Sequence, residues 1–288
     1  MASFRVRIVL VGLGAIVLAA VAAVSSQLPA LGAAALLHPL RRHVDASPPE
    51  GCAETAFSGA GINLAGWKCR GTGEHRGTLI YLHGAADNRV SSVATIQRFR
   101  PLGFDVVAYD SRAHGDSGGD ICTYGFFEKQ DLRHVIDTVR AGPIVLIGGS
   151  LGAGVAIQSA ADDPRVSAVV AAETFSDLRT VASERAPFFF TRGTIAQAFR
   201  IAERLGNFEV DAVSPVAAAT KIAVPVLLIH GDADRETPPD HSRRVFAALH
   251  GPKRLMMVPG AGHNGSLGPE IWDQIERWVR DTLEHTSG

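Results

Sequence analysis

The stretch PIVLIGGSLGAGVAIQSAA, Pro143 to Ala161, decides the fold. It runs from an apolar, β-branched segment through two glycines to Ser150, then into a segment of small residues. A short run of Ile, Val and Leu reads as a strand buried on both faces, and the alanine-rich continuation reads as a helix. Between them Gly148-Gly149-Ser150-Leu151-Gly152 matches Gly-x-Ser-x-Gly. In that pattern glycines relieve crowding where a strand turns sharply into a helix. The same residues fit two readings, a turn whose serine caps the helix or a nucleophile held on a strained elbow.

Outward from this stretch, apolar runs recur at the spacing of an α/β chain: GTLIYLHG (77–84), FDVVAYDSR (104–112), VSAVVAAE (166–173), VPVLLIHG (224–231) and RLMMVPG (254–260). Helical patterns separate most of them. SVATIQRFRPLG and EKQDLRHVIDTVRAG each run to a glycine, and PEIWDQIERWVRDTL places Ile271, Ile275, Trp278 and Val279 on one face. The expected fold is α/β, a doubly wound and mostly parallel sheet, over residues 46–288. Ligands of such sheets bind beyond the carboxyl ends of the strands. The interval between the runs near 170 and 227 exceeds one crossover helix. Residues 178–212, with the aromatic cluster PFFF and a helix carrying Ile195 and Phe199, read as a short helical lid.

The first 45 residues read as an N-terminal anchor and tether. Ile8 to Val24 is unbroken apolar or glycine, and no charged residue occurs from Ile8 to Leu40. Arg5 and Arg7 precede the run, which favours a transmembrane helix with its N-terminus in the cytoplasm and the rest of the chain outside. A cleaved secretory signal, with a small-residue site at Ala20-Val21-Ala22, is the alternative, and it too exports the domain. Cysteine usage agrees. In CAETAFSGAGINLAGWKC, a hairpin centred on Ala60-Gly61 sets Cys52 opposite Cys69, a disulfide candidate in an oxidising compartment, with two buried thiols as the alternative. A formal net charge of -1, with basic residues scattered singly or in pairs, argues against nucleic acid as a partner.

A serine hydroxyl needs a base, and the base an orienting group. Of eleven histidines, His263 in VPGAGHNG lies just past the last strand and is the candidate base. His83 and His230 precede glycines at strand ends and suit turn roles, while His134, His241 and His285 suit the surface. HGDADRETPP offers Asp234 as the orienting acid with Asp232 as its rival; either could instead cap the following helix. The order Ser150, Asp234, His263 is that expected of a strand–serine–helix enzyme. Gly260 to Gly265 also fits G-x-G-x-x-G, but too little chain follows it for a βαβ unit. No phosphate loop and no H-E-x-x-H occurs, so no metal or organic cofactor is expected.

The motifs HGAADN, YDSRAHGDSGG, GGSLG, HGDADRETP and GAGHN follow one another in the order of the α/β-hydrolases, and the chain resembles that family over about residues 52–285. The resemblance implies a Ser150, His263, Asp234 triad, with the backbone N–H groups of Leu151 and Ala85 as oxyanion hole. HGA stands in place of the glycine-rich HGGG version at Ala85. The turn holding Asp110, Arg112 and His114 is mainly structural in such proteins. With its anchor and short insertion the chain is similar to membrane-tethered serine hydrolases of the lysophospholipase and peptidase-like branches. The aromatic insertion and the membrane tether suit an apolar acyl chain, so a small-molecule or lipid ester is the expected substrate. A peptidase or amidase shares every catalytic residue, and a non-catalytic binding module is the remaining alternative. Oligomeric state is left open.

Overall fold

Strands buried on both faces need apolar residues at odd and even positions alike, and the central runs supply them. In the computed structural model, which describes residues 23–286, these runs form one eight-stranded sheet. β1 (Cys52–Ser58) and β2 (Asn63–Cys69) make an antiparallel hairpin; β3 (Gly77–Leu82), β4 (Phe104–Tyr109), β5 (Ile144–Gly149), β6 (Val166–Ala172), β7 (Val226–Gly231) and β8 (Lys253–Val258) are parallel. The spatial order is β1-β2-β4-β3-β5-β6-β7-β8, with β2 antiparallel to β4.

Alternate strand residues feed two cores. Ile80, Leu146, Val169 and Leu228 face α3 (Glu128–Ile136), α4 (Leu151–Asp162), α7 (Pro215–Ala219) and α8 (Asp240–Ala248). Their neighbours Leu79, Val145, Val170 and Leu227 face α2 (Val93–Phe99) and α9 (Pro269–Thr286), meeting Phe99, Ile275 and Val279. Each fully buried side chain of this size contributes about 1.5–3 kcal/mol, so the double winding is strongly specified. α3 stops at Ile136, short of the glycine to which its pattern runs. There Thr138 turns its hydroxyl and amide back onto the Val135 carbonyl, a local alternative to helix that Thr offers readily.

The hairpin register pairs Cys52 with Cys69, and the two are joined as a disulfide; Cys122 is free and buried. A third core packs α1 (residues 23–37), through Ala33 and Leu37, against α5 (Leu178–Glu184) and α6 (Arg192–Gly206), which make up most of the 178–212 insertion. Residues 38–44 do not leave the domain. His38 meets the Asp120 carbonyl at 2.7 Å, Arg41 donates to the Ser117 and Gly119 carbonyls at 2.5 and 2.6 Å, and Asn88 donates to the Arg42 carbonyl at 3.1 Å. Among the described residues no helix is long and apolar enough to cross a membrane. Residues 1–22, with most of the Ile8–Val24 run expected to span one, lie outside the described residues.

Candidate active site

Ser150 ends β5 and opens α4 with φ 49° and ψ −110°. A non-glycine residue held there costs about 1–3 kcal/mol, so the surroundings must over-determine it. They do. The Ser150 amide donates to the Ala172 carbonyl of β6 at 2.8 Å, and the Ser150 carbonyl accepts from Gly154 at 3.1 Å. The flanking glycines supply clearance. A Cβ on Gly152 would lie 2.0 Å from the Leu82 carbonyl oxygen, and one on Gly148 would lie 2.3 Å from the Gly152 carbonyl oxygen. The strain sits on the serine, and the glycines allow α4 to approach β3.

The loop after β8 brings His263 over this serine. Ser150 Oγ is 2.9 Å from His263 Nε2, and His263 Nδ1 is 2.7 Å from Asp234 Oδ2. Asp234 is itself fixed: its Oδ1 accepts from the Glu236 and Thr237 amides, both at 2.9 Å. Burial pushes the Asp234 carboxyl up, but the Thr237 amide, the His263 ring and the Glu236 amide outweigh it and hold the group below the usual value. Asp232 is exposed and accepts from the Gly260 amide at 2.7 Å instead, which braces the start of the histidine loop. With an ionised acceptor at Nδ1, the neutral imidazole carries its proton there and offers Nε2 to the serine hydroxyl.

A second carboxylate supports the histidine loop. Glu173, directly after β6 and at φ 55°, accepts from Asn264 N at 2.5 Å and Ser266 N at 3.0 Å, and its Oε2 lies 3.9 Å from His263 Nδ1. Glu173, Asp234 and His263 bring ligand atoms within 4.8 Å of one another, the spacing of a metal site. Their lone pairs and protons are already matched to two loop amides, two acid-loop amides and Ser150. The donor set fits a proton relay better than a cation.

Leu151 begins α4, where the first amides of a helix have no carbonyl four residues back to bond. Ala85, in the loop after β3, lines a cavity of about 500 Å³ together with Gly84, Gly149, Glu173 and Asn264. That cavity touches the residue before Ser150 and the residue after His263, and a Cβ on Gly84, next to Ala85, would lie 3.6 Å from Ser150 Cβ. Arg42, from the segment preceding β1, also lines it.

The family model described as alpha/beta hydrolase fold matches residues 77–199, and one described as PhoPQ-activated pathogenicity-related protein matches residues 202–287. An esterase of Pyrococcus furiosus superposes with a TM-score of 0.69 at 22% identity, covering 86% of this chain and 98% of that one. The fold is that of the α/β-hydrolases. Uncharacterized protein YqkD of Bacillus subtilis is 30% identical over 207 residues, 65% of this chain; the chain spans 64% of that protein's length. An acylaminoacyl peptidase superposes with a TM-score of 0.64 at 17% identity over 81% of this chain and 41% of its own. The α/β-hydrolase fold therefore houses both ester and peptide chemistry, and fold alone does not choose between them.

Within this α/β-hydrolase fold the predicted Ser150, His263 and Asp234 meet in one bonded relay, and the rival Asp232 stays outside it. His230 is a scaffold: it bonds the Ser242 hydroxyl at 2.6 Å and the Thr237 carbonyl at 2.8 Å. His83 accepts from the Ser111 amide at 2.9 Å and so ties the HGA turn to the loop after β4. His241, expected at the surface, is buried; it accepts from the Ser176 amide at 3.0 Å and reaches Glu184 at 2.8 Å. Sequence reasoning missed Glu173. Its only signal was an acid closing an otherwise apolar strand, VVAAE, where a turn-capping role is equally natural.

Proposed function

We propose that this chain is a serine hydrolase of carboxylic esters, acyl esters such as lysolipids included, working through an acyl-enzyme. The observation that carries this is the continuous bond series Ser150 Oγ, His263 Nε2, His263 Nδ1, Asp234 Oδ2 at 2.9 and 2.7 Å, set on a serine with φ 49°. Ser150 Oγ attacks the ester carbonyl while His263 Nε2 takes its proton. The Leu151 and Ala85 amides receive the oxyanion, each donor being worth about 3–4 kcal/mol in such sites. His263 returns the proton to the departing alkoxide, then takes one from the water that releases the acid. Asp234 keeps the ring in the required tautomer and stabilises its charged form.

A fluorophosphonate should label Ser150 alone, and Ser150→Ala should abolish labelling with kcat falling about 10⁴–10⁶-fold. Turnover of p-nitrophenyl butyrate set beside a peptide amide panel settles the substrate class. Amide turnover equal to ester turnover would favour the peptidase reading, and full activity in Ser150→Ala would sink the mechanism.

The same proposal places the domain outside the cytoplasm on an N-terminal anchor. The uncharged run behind Arg5 and Arg7 supports this, as does a disulfide, which persists in oxidising compartments. The intact mass of the chain from a membrane fraction checks it. A soluble chain beginning after Ala22 would mean a cleaved signal instead.

A further inference from the structure

A second cavity, of about 430 Å³, lies between α1, α5 and α6. Its walls include Leu31 and Leu36 of α1, Val181 of α5, Phe199 of α6, Phe190 of the connection between α5 and α6, and Tyr124 of the loop after β4. Among the described residues lining it Arg185 alone is charged, and its guanidinium is engaged, donating to the Glu236 carbonyl at 2.8 Å and to Thr237 Oγ1. That engagement also locates the cavity, because the Thr237 amide bonds Asp234. On another flank Tyr124 meets Phe175 edge-on, with ring centroids 6.4 Å apart. Phe175 in turn packs on Gly154, whose amide bonds the Ser150 carbonyl. The cavity is thus linked to the acid loop through Arg185 and to the elbow helix through Tyr124 and Phe175.

Beside its wall residues Leu31, Pro187 and Phe190 the surface is apolar and faces water. Phe188 is 99% exposed, Leu31 60% and Phe189 53%. The adjacent Phe190 is seated on α1 at Gly32, where a Cβ would come 2.8 Å from its ring. An exposed aromatic pair beside an apolar cavity gains nothing for folding, and such patches mark interaction surfaces. Chain direction indicates what lies opposite. α1 follows the unbroken apolar run that ends at Val24, and Leu31 stands seven residues further on, about 10 Å of helical rise.

We propose that this cavity receives the acyl chain of a lipid ester taken from a bilayer surface on which Leu31, Phe188 and Phe189 rest. The proposal rests on Ser150 being a hydrolytic nucleophile and adds the substrate class and the side from which substrate enters. With the full-length chain, kcat/KM for p-nitrophenyl esters should rise about fourfold per added CH₂ from butyrate until the cavity is filled. Ala182→Trp, or Ala35→Trp should the first variant fold poorly, should abolish that rise and leave butyrate turnover within twofold. Phe188→Ser with Phe189→Ser should raise KM at least tenfold for p-nitrophenyl dodecanoate in phosphatidylcholine vesicles, with butyrate turnover in solution unchanged.

A flat chain-length profile, or one unmoved by either tryptophan, would overturn the acyl site. Unchanged vesicle turnover in the double serine variant would overturn the bilayer contact and assign the aromatic pair to a protein partner. A fluorescent fatty acid titrated into Ser150→Ala reads the cavity without catalysis. Binding that Ala182→Trp removes, in a chain that hydrolyses no ester, would mean the hydrolase reading had failed while the cavity stood.

Discussion

Both ring nitrogens of His263, both oxygens of Asp234 and both oxygens of Glu173 have hydrogen-bond partners. Fifteen positions along the chain from Glu173, Phe188 is almost wholly exposed and meets Phe189 edge-on, with centroids 5.4 Å apart. The first region is made of directional contacts in a water-poor pocket, where a misplaced group leaves a buried polar atom unpaired. The second is made of non-directional apolar surface, whose contribution scales with area. Substitutions in the relay should therefore act as steps, and substitutions around the insertion as graded changes.

The carboxylates test the step most severely. Asp234→Asn preserves shape but favours the wrong tautomer, and kcat for p-nitrophenyl butyrate should drop by about 10⁴ with little change in Tm. Asp232→Asn keeps an oxygen for the Gly260 amide and should stay within a few-fold of wild type. Glu173→Gln keeps the acceptor for one loop amide but removes a charge beside His263, and should cost about 10- to 100-fold, a range usual for outer supporting groups. A Glu173→Gln loss as large as that of Asp234→Asn would make the two carboxylates joint acids. A crippled Asp232→Asn beside a normal Asp234→Asn would move the acid two residues upstream.

A smaller effect comes from a histidine that belongs to neither region. His114 bonds the Arg112 carbonyl at 2.8 Å, and its buried Nε2 has no partner among the described residues. Burial, helped by His83 nearby, pushes its pKa down from 6.5 to about 4. The unfolded chain then binds this proton more readily than the folded one. Its cost to stability is absent above about pH 6.5, grows as pH falls, and is complete below about pH 4, reaching up to about 3 kcal/mol. Denaturant melts of wild type and His114→Asn should diverge in slope between those limits. Parallel slopes would show that His114 is not the group that titrates.

The parts of this molecule that were legible in its sequence share a physical reason. β3 to β7 are apolar on both faces, which only a sheet covered twice requires, and the elbow needs glycines whose absence would drive Cβ atoms into carbonyls. The hairpin could be indexed because its cysteines sit symmetrically about the turn. Glu173 could not be read, because its role depends on the Asn264 and Ser266 amides, 91 and 93 positions away. His241 misled for the converse reason: its neighbours Asp240, Arg243 and Arg244 are charged, while the ring turns inward to Ser176. Residues 38–44 carry no pattern at all; their placement follows from carbonyls that the loop after β4 happens to present.

Arg185 gives the insertion and the relay a common joint. Its guanidinium grips the Glu236 carbonyl and the Thr237 hydroxyl, and the amides of those same two residues hold Asp234. An outward swing of α5 must either release that grip or drag the acid loop along with it. In the first case α5 moves independently of the proton relay, at the expense of two hydrogen bonds to a cation. In the second, the same swing would pull on the two amides that hold Asp234, so the position of α5 and the alignment of the relay would change together.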